Sequence, residues 1–238
     1  MTGQTKPRSN EPTLDLPVER GVVIVTFDTA QILDVTGPLE VFSSASRFLP
    51  AVQYRTQVVS TRGGPVGASC GLEFASTPIS EVTGPVDTLL VAGGADMDAA
   101  VADTNLRDGV TRLAADARRV TSVCSGAFVL AAAGLLEGRR ATTHWAECGL
   151  LDDRYADITV DPDAIYVRDG NVWTSAGVTA GIDLALALVE DDLGPGIARR
   201  TAQQLVVHQR RHGGQSQYSV LVEQGGRTGR FAELIGWM

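Results

Sequence analysis

Short apolar runs of strand length alternate along this chain with segments of helical spacing, and few folds accept that alternation. Gly21–Phe27 (GVVIVTF) and Val86–Ala92 (VDTLLVA) are apolar almost throughout, as strands buried on both faces are. Gln53–Ser60 and Arg119–Val123 predict two further strands, and Leu72–Phe74 a short one beyond a turn at Gly63-Gly64-Pro65 and Gly67. A loop from Ile32 is expected to feed a helix near Pro38. Leu106, Val110, Leu113, Ala114 and Ala117 share one helical face over residues 105–118, and Ser125–Leu136 predicts a small-residue-rich buried helix that exits at Gly134 and Gly138. Ala164–Arg168 and Asn171–Thr174 form a hairpin across Asp169-Gly170. Thr179–Leu193 is an apolar helix stopped by Gly194-Pro195, with a second helix from about Pro195 to Arg210. The fold expected is α/β: a mostly parallel sheet flanked by helices on both faces, with ligands at the carboxyl ends of its strands.

The length of 238 residues, 44% of them apolar, suits one such domain with flanking segments. Residues 1–20 show no periodicity and are expected to be a flexible leader. The domain spans 21–212. Residues 213–238 hold a Gly-rich joint at Gly225–Gly229 and the start of a helix over 230–238. The net charge of −8 makes the whole chain a poor match for a nucleic-acid backbone. That charge is uneven: residues 1–198 carry −12 and residues 199–238 carry +4. The basic end is either a helix lying on an acidic body or a connector towards something anionic. No apolar run approaches the roughly 18 residues that span a bilayer, and the N-terminus lacks a signal-peptide core, so no membrane partner and a cytoplasmic location are expected. Cys70, Cys124 and Cys148 are odd in number and lack zinc-like spacing, which supports neither a disulfide framework nor a metal; no cofactor is expected.

Cys124 stands where a strand runs into a helix, in VTSVCSGA. Small neighbours there suit a nucleophile elbow, and a helix N-terminus would favour the thiolate; the alternative is a buried structural cysteine. Cys70, in a Gly-rich turn, and Cys148, in a helix after Trp145, read as ordinary thiols. Asp34 sits in an apolar loop, where desolvation would raise its pKa and suit proton exchange with a thiol; the alternative is a helix cap. Gly93 and Gly94 end a strand, and their amides could line an oxyanion hole or simply make a turn. Thr143 and His144 lie at another strand-to-helix junction, His144 more as a structural or ligand-contact group than as a base. Asp183 reads as an early-turn charge on its helix.

VTSVCSGAFVLAAAGLLEGRRATTHW, ILDVTGPLEVF, VAGG and WTSAGVTAGIDLALALVE together resemble the ThiJ/PfpI superfamily, over about residues 21–212. The resemblance implies a class I glutamine amidotransferase-like, flavodoxin-like sandwich. It also implies one of two activities. In isocyanide (isonitrile) hydratases, a cysteine placed like Cys124 attacks the isocyanide carbon and an aspartate placed like Asp34 moves protons. In GlxA-type regulators of the AraC family, the same domain senses a small metabolite, with Gly93, Gly94, Ser125, Thr143 and His144 as pocket residues. There, a stretch like His212–Ser219 leads to a C-terminal helix-turn-helix half that binds DNA and is absent from these residues. Superfamily members commonly pair, so a homodimer is expected. Ser125 stands where protease-like relatives carry histidine, which argues against a peptidase. The C-terminal stretch favours the sensor, with the hydratase as the alternative.

Overall fold

The computed structural model describes residues 18–208, 211 and 214–218. Most of the leader, the Gly225–Gly229 joint and the helix expected over 230–238 lie outside the described residues, as does His212.

In chain order, β1 (Val18–Val25) leads to α1 (Ile32–Phe48), followed by β2 (Val52–Ser60), β3 (Gly64–Gly67) and β4 (Glu73–Pro78). Next come β5 (Thr88–Val91), α2 (Met97–Ala102), α3 (Thr104–Asp116), β6 (Arg119–Val123) and α4 (Ala127–Ala132). The chain continues through β7 (Arg140–Ala141), α5 (Cys148–Arg154), β8 (Thr159–Val160), β9 (Tyr166–Asp169), β10 (Val172–Ser175) and α6 (Ala180–Gln204). Eight strands form one sheet in the order β3-β4-β2-β1-β5-β6-β10-β9, and β7 pairs with β8 apart from it. The pairings from β4 to β10 are parallel; only the edge strands β3 and β9 run antiparallel. The expected mostly parallel sheet with helices on both faces is therefore what forms.

The alternation of side chains along each central strand explains why both faces must be covered. Val23 and Val25 of β1, with Leu89 and Val91 of β5, pack against Leu106, Val110 and Phe128 from α3 and α4. Val22 and Ile24, with Leu90, point the other way onto Val41 and Phe42 of α1 and Leu184 and Leu188 of α6. Glycines let α1 and α6 approach closely. A Cβ on Gly37 would lie 3.1 Å from the Ile182 side chain, and one on Gly181 would lie 3.5 Å from that of Pro38.

Several expectations require correction. Helix α1 begins at Ile32, so Pro38 lies inside it rather than at its start, and Asp34 is in its first turn rather than in a loop. Gln31 is the cap. Gly64–Gly67 is a strand, since it pairs with β4, rather than only a turn. Helix α4 stops at Ala132, short of Leu136, as the chain turns through Gly134 at φ 74°. The two C-terminal helices run as α6 with a break at Gly194 (φ 79°, ψ 170°), and α6 ends at Gln204, short of Arg210. Arg200 of α6 stacks on α1, 4.6 Å from the Phe48 ring centroid.

Register decides where chemistry can gather. Val25 of β1 faces Val91 of β5, which faces Ser122 of β6, and Val123 faces Ser175 of β10. Four neighbouring strands thus end level. The segments that follow them bring Asp34, Gly93-Gly94, Cys124 and Gly177-Val178 to one edge.

Candidate ligand site at the strand ends

Cys124 leaves β6 with a left-handed backbone (φ 56°) and is followed by a single 3-10 turn before α4. Val178, after β10, is also left-handed (φ 50°), and so is Thr29, after β1 (φ 69°). A β-branched residue such as Val178 or Thr29 is a true outlier in that region, and three non-glycine residues there at one sheet edge mark backbone conformations imposed by tertiary contacts. Gly177 shows how tight the packing is: a Cβ there would lie 2.1 Å from the Cys124 Cβ and 2.7 Å from its Sγ.

Asp34 is fully buried. Its Oδ1 accepts the Val178 N–H at 2.8 Å and its Oδ2 accepts the Gly93 N–H at 3.0 Å, and the Cys124 thiol hydrogen-bonds to the same carboxyl group. Burial is the strongest influence and pushes its pKa up to about 7, against the lowering effect of those three donors. The Cys124 thiol is pushed up to about 12, first by burial and then by the negative charge of Asp34; Glu147 adds to this and Ser125 opposes it. This corrects the thiolate expectation. One 3-10 turn supplies less stabilisation than burial and a neighbouring carboxylate remove, so Cys124 is a protonated thiol at neutral pH.

Gly93 and Gly94 do not present a free oxyanion hole. The Gly93 amide is held by Asp34, and the Gly94 amide donates to Ser125 Oγ at 3.1 Å. Both glycines are required by contact: a Cβ on Gly93 would lie 2.7 Å from the Ser125 amide nitrogen, and one on Gly94 2.8 Å from the Thr29 carbonyl oxygen. Ser125 is buried and also donates to the Gly94 carbonyl at 3.2 Å. Thr143 is buried and donates to the Cys124 carbonyl at 2.9 Å, so it holds the backbone corner. His144 caps the turn after it, with Nδ1 accepting the Ala146 N–H at 3.4 Å and its ring 5.3 Å from that of Trp145. Burial holds its pKa below the usual imidazole value. Cys148 is buried with its thiol pKa raised by burial, and Cys70 is exposed.

Beside Cys124 lies a cavity of about 250 Å³, walled by His144, Trp145, Ile165, Val178, Arg211 and Gln215, with Gly177 at its contact with Cys124. Sequence reasoning missed Gly177, Val178, Arg211 and Gln215. The WTSAGVTAG motif contained the first two, but their role is a backbone approach and a backbone amide, which no side-chain chemistry announces. Asp183 carries more than an early-turn charge, since its buried carboxylate pairs with Arg211 at 2.8 Å. Among the described residues, no group of three or more His, Cys, Asp or Glu side chains could hold a metal ion, and no helix is long and apolar enough to cross a membrane.

The DJ-1/PfpI family model matches residues 20–191. The chain belongs to the DJ-1/PfpI family. It is 42% identical over 179 residues to the isonitrile hydratase of Pseudomonas putida, covering 75% of each chain. It is 35% identical over 181 residues to the HTH-type transcriptional regulator CdhR of Pseudomonas aeruginosa, covering 76% of this chain but 52% of CdhR. The match thus spans about half the length of that regulator. Among solved structures, a THiJ/PfpI family protein from Pseudomonas syringae superposes with a TM-score of 0.73 at 26% identity, over 87% of this chain and 84% of that one. The DJ-1/PfpI fold carries both catalysts and regulators among these relatives, so the site has to decide between them.

Asp34 gives the site a pH signature. Its folded pKa of about 7 lies above the ordinary carboxyl value of 3.8, so the folded state binds the proton more tightly than the unfolded state. Stability contributed by the protonated form is present below about pH 4 and is lost as pH rises towards 7. Urea titrations from pH 4 to 8 are expected to show wild type losing a few kcal/mol that Asp34→Asn does not lose; parallel curves for the two proteins would show that Asp34 titrates normally.

Proposed function

We propose that this DJ-1/PfpI domain is the small-molecule-sensing part of a transcriptional regulator of the GlxA/CdhR kind, with its ligand cavity beside the Cys124–Asp34 pair. The observation that carries the reading is the combination of contacts around that pair. The thiol is held protonated, and both glycine amides that could steady an oxyanion are already hydrogen-bonded within the protein. A nucleophilic catalyst has to shed that thiol proton during the reaction and find further donors for the developing charge; a binding pocket needs neither. The cavity is walled in part by Arg211 and Gln215, which follow the end of α6. DNA contact belongs to a helix-turn-helix half beyond these residues, and pairing of two domains would give such a regulator its dimer.

A second reading is favoured by one observation: Asp34, at about 7, can exchange a proton with a thiol at neutral pH. In that reading the chain is an isocyanide hydratase. The Cys124 sulfur adds to the terminal isocyanide carbon as its proton passes to Asp34 and on to that carbon, giving a thioimidate. Water then adds to the same carbon, the C–S bond breaks, and the proton returns to sulfur as an N-substituted formamide leaves. Incubation with benzyl isocyanide separates the two readings. The sensor reading expects no N-benzylformamide above the level given by Cys124→Ala. Turnover that Cys124→Ala abolishes, in a variant with an unchanged circular dichroism spectrum, would replace it with the hydratase.

A further inference from the structure

We propose that Arg211 and Gly214–Ser216 form a latch that completes the ligand cavity and closes more tightly when the cavity is occupied, with Gln215 as its positioning residue. Gln215 lies beyond the end of α6, yet it is only 2% exposed. Its Nε2 has three acceptors around it, Thr142 Oγ1 at 3.1 Å, the Thr143 carbonyl at 3.0 Å and the Ala164 carbonyl at 2.9 Å, among which its two N–H groups are shared. The Gln215 backbone N–H donates to the Asp163 carbonyl at 2.7 Å, and the Ser216 N–H donates to Asp163 Oδ1 at 2.8 Å. Arg211 adds its ion pair with Asp183 on α6. The segment is therefore fastened to three places on the domain.

Two of these fastenings reach the site. Thr143 gives its carbonyl to Gln215 and its hydroxyl to the Cys124 carbonyl, so one residue touches both the latch and the corner that carries the thiol. Gln215 and Arg211 also form part of the cavity wall, which they share with Val178, whose amide holds Asp34. When the segment leaves, that wall goes with it. A molecule in the cavity consequently binds the latched state better than the unlatched one, and by linkage its presence must favour closure. The walls define its class. Trp145, Ile165 and Val178 suit an apolar body, and the guanidinium donors of Arg211 not used by Asp183 suit an acceptor such as a carboxylate or an amide carbonyl.

The latch gives the sensor reading a path from the cavity to the C-terminal side, but it stands apart from that reading. Isocyanide turnover would remove the sensor and leave the latch intact. The test uses the full chain with Cys70→Ser. Cys124 is either left free or alkylated with N-benzyl iodoacetamide at about pH 9, where the thiolate fraction rises; a C–S bond forms as iodide and the thiol proton leave. Hydrogen exchange at the Gln215 and Ser216 amides is then followed by mass spectrometry. The expected result is exchange slowed roughly fivefold or more by the benzyl arm. Gln215→Ala should exchange fast in both forms. Gly214→Ala opens the latch from outside the cavity, because its Cβ would lie 2.2 Å from the Asp163 carboxylate, and should behave the same way with an unchanged melting temperature. Equal exchange in free and alkylated wild type, or faster exchange on alkylation, would overturn the proposal.

Discussion

Gly177→Ala is expected to destabilise the fold by about 3 kcal/mol or more and to lower the melting temperature by roughly 10 °C. Two costs combine. The backbone at Gly177 has φ 89°, which an L side chain rarely adopts, and the new methyl group would lie 2.1 Å from the Cys124 Cβ and 2.5 Å from its Cα. The Cα belongs to a left-handed corner held by Thr143, so the backbone cannot retreat freely. Gly149→Ala is the control. It lies in α5 with nothing within 4 Å of the added methyl, and should be neutral or stabilising by about 1 kcal/mol. Thermal unfolding of both variants measures the difference, and a Gly177→Ala protein that melts like Gly149→Ala would show that the corner is slack.

The second large effect lies at the opposite end of the sheet. Arg119, the first residue of β6, is buried and reaches Asp192 near the break in α6, with Nη2 2.6 Å from Oδ2. The same carboxylate accepts the Tyr54 hydroxyl at 2.8 Å and Arg118 Nη2 at 2.6 Å, and Arg119 Nε donates to Thr88 Oγ1 at 2.7 Å. The Tyr54 hydroxyl is pushed well above the usual phenol value, chiefly by burial and then by Asp192. Asp192→Ala leaves the buried Arg119 guanidinium with the longer contact to Asp191 at 3.8 Å in place of its 2.6 Å partner, at an expected cost of about 3 kcal/mol. Arg119→Met combined with Asp192→Leu removes both charges and should recover most of that loss. Denaturant titration reads both; an Asp192→Ala protein within about 1 kcal/mol of wild type would mean that water reaches Arg119.

Much of the architecture was legible because it rests on local patterns. Gly21–Phe27 and Val86–Ala92 announced strands buried on both faces, Arg119–Val123 matched β6, and Asp169-Gly170 marked the hairpin of β9 and β10. What escaped was set by contacts distant in sequence. Pro38 pointed to a helix start, but Gln31 caps α1 earlier and the helix runs through the proline. Cys124 and Asp34 were visible as candidate partners. The raised pKa of Asp34 followed from its apolar neighbours, but the raised pKa of the Cys124 thiol did not, because it depends on how deeply Gly177 and the α1–α6 packing bury it. Gly93 and Gly94 were correctly placed at the strand end, yet a sequence cannot show that Asp34 and Ser125 already occupy their amides. Gln215 offered no signal as a wall residue, since its burial depends on Thr142, Thr143 and Ala164 from another part of the chain.

The protonated state of Cys124 underlies the choice of a binding pocket over a catalyst, and its alkylation rate reports that state. In the Cys70→Ser protein, site-resolved mass spectrometry would follow iodoacetamide modification of Cys124 as a function of pH. A thiol pushed up to about 12 predicts a rate that climbs about tenfold per pH unit from about pH 7 to about pH 10, without a plateau. A plateau already reached near pH 7 would mean a standing thiolate, and would make this site a nucleophile rather than a pocket.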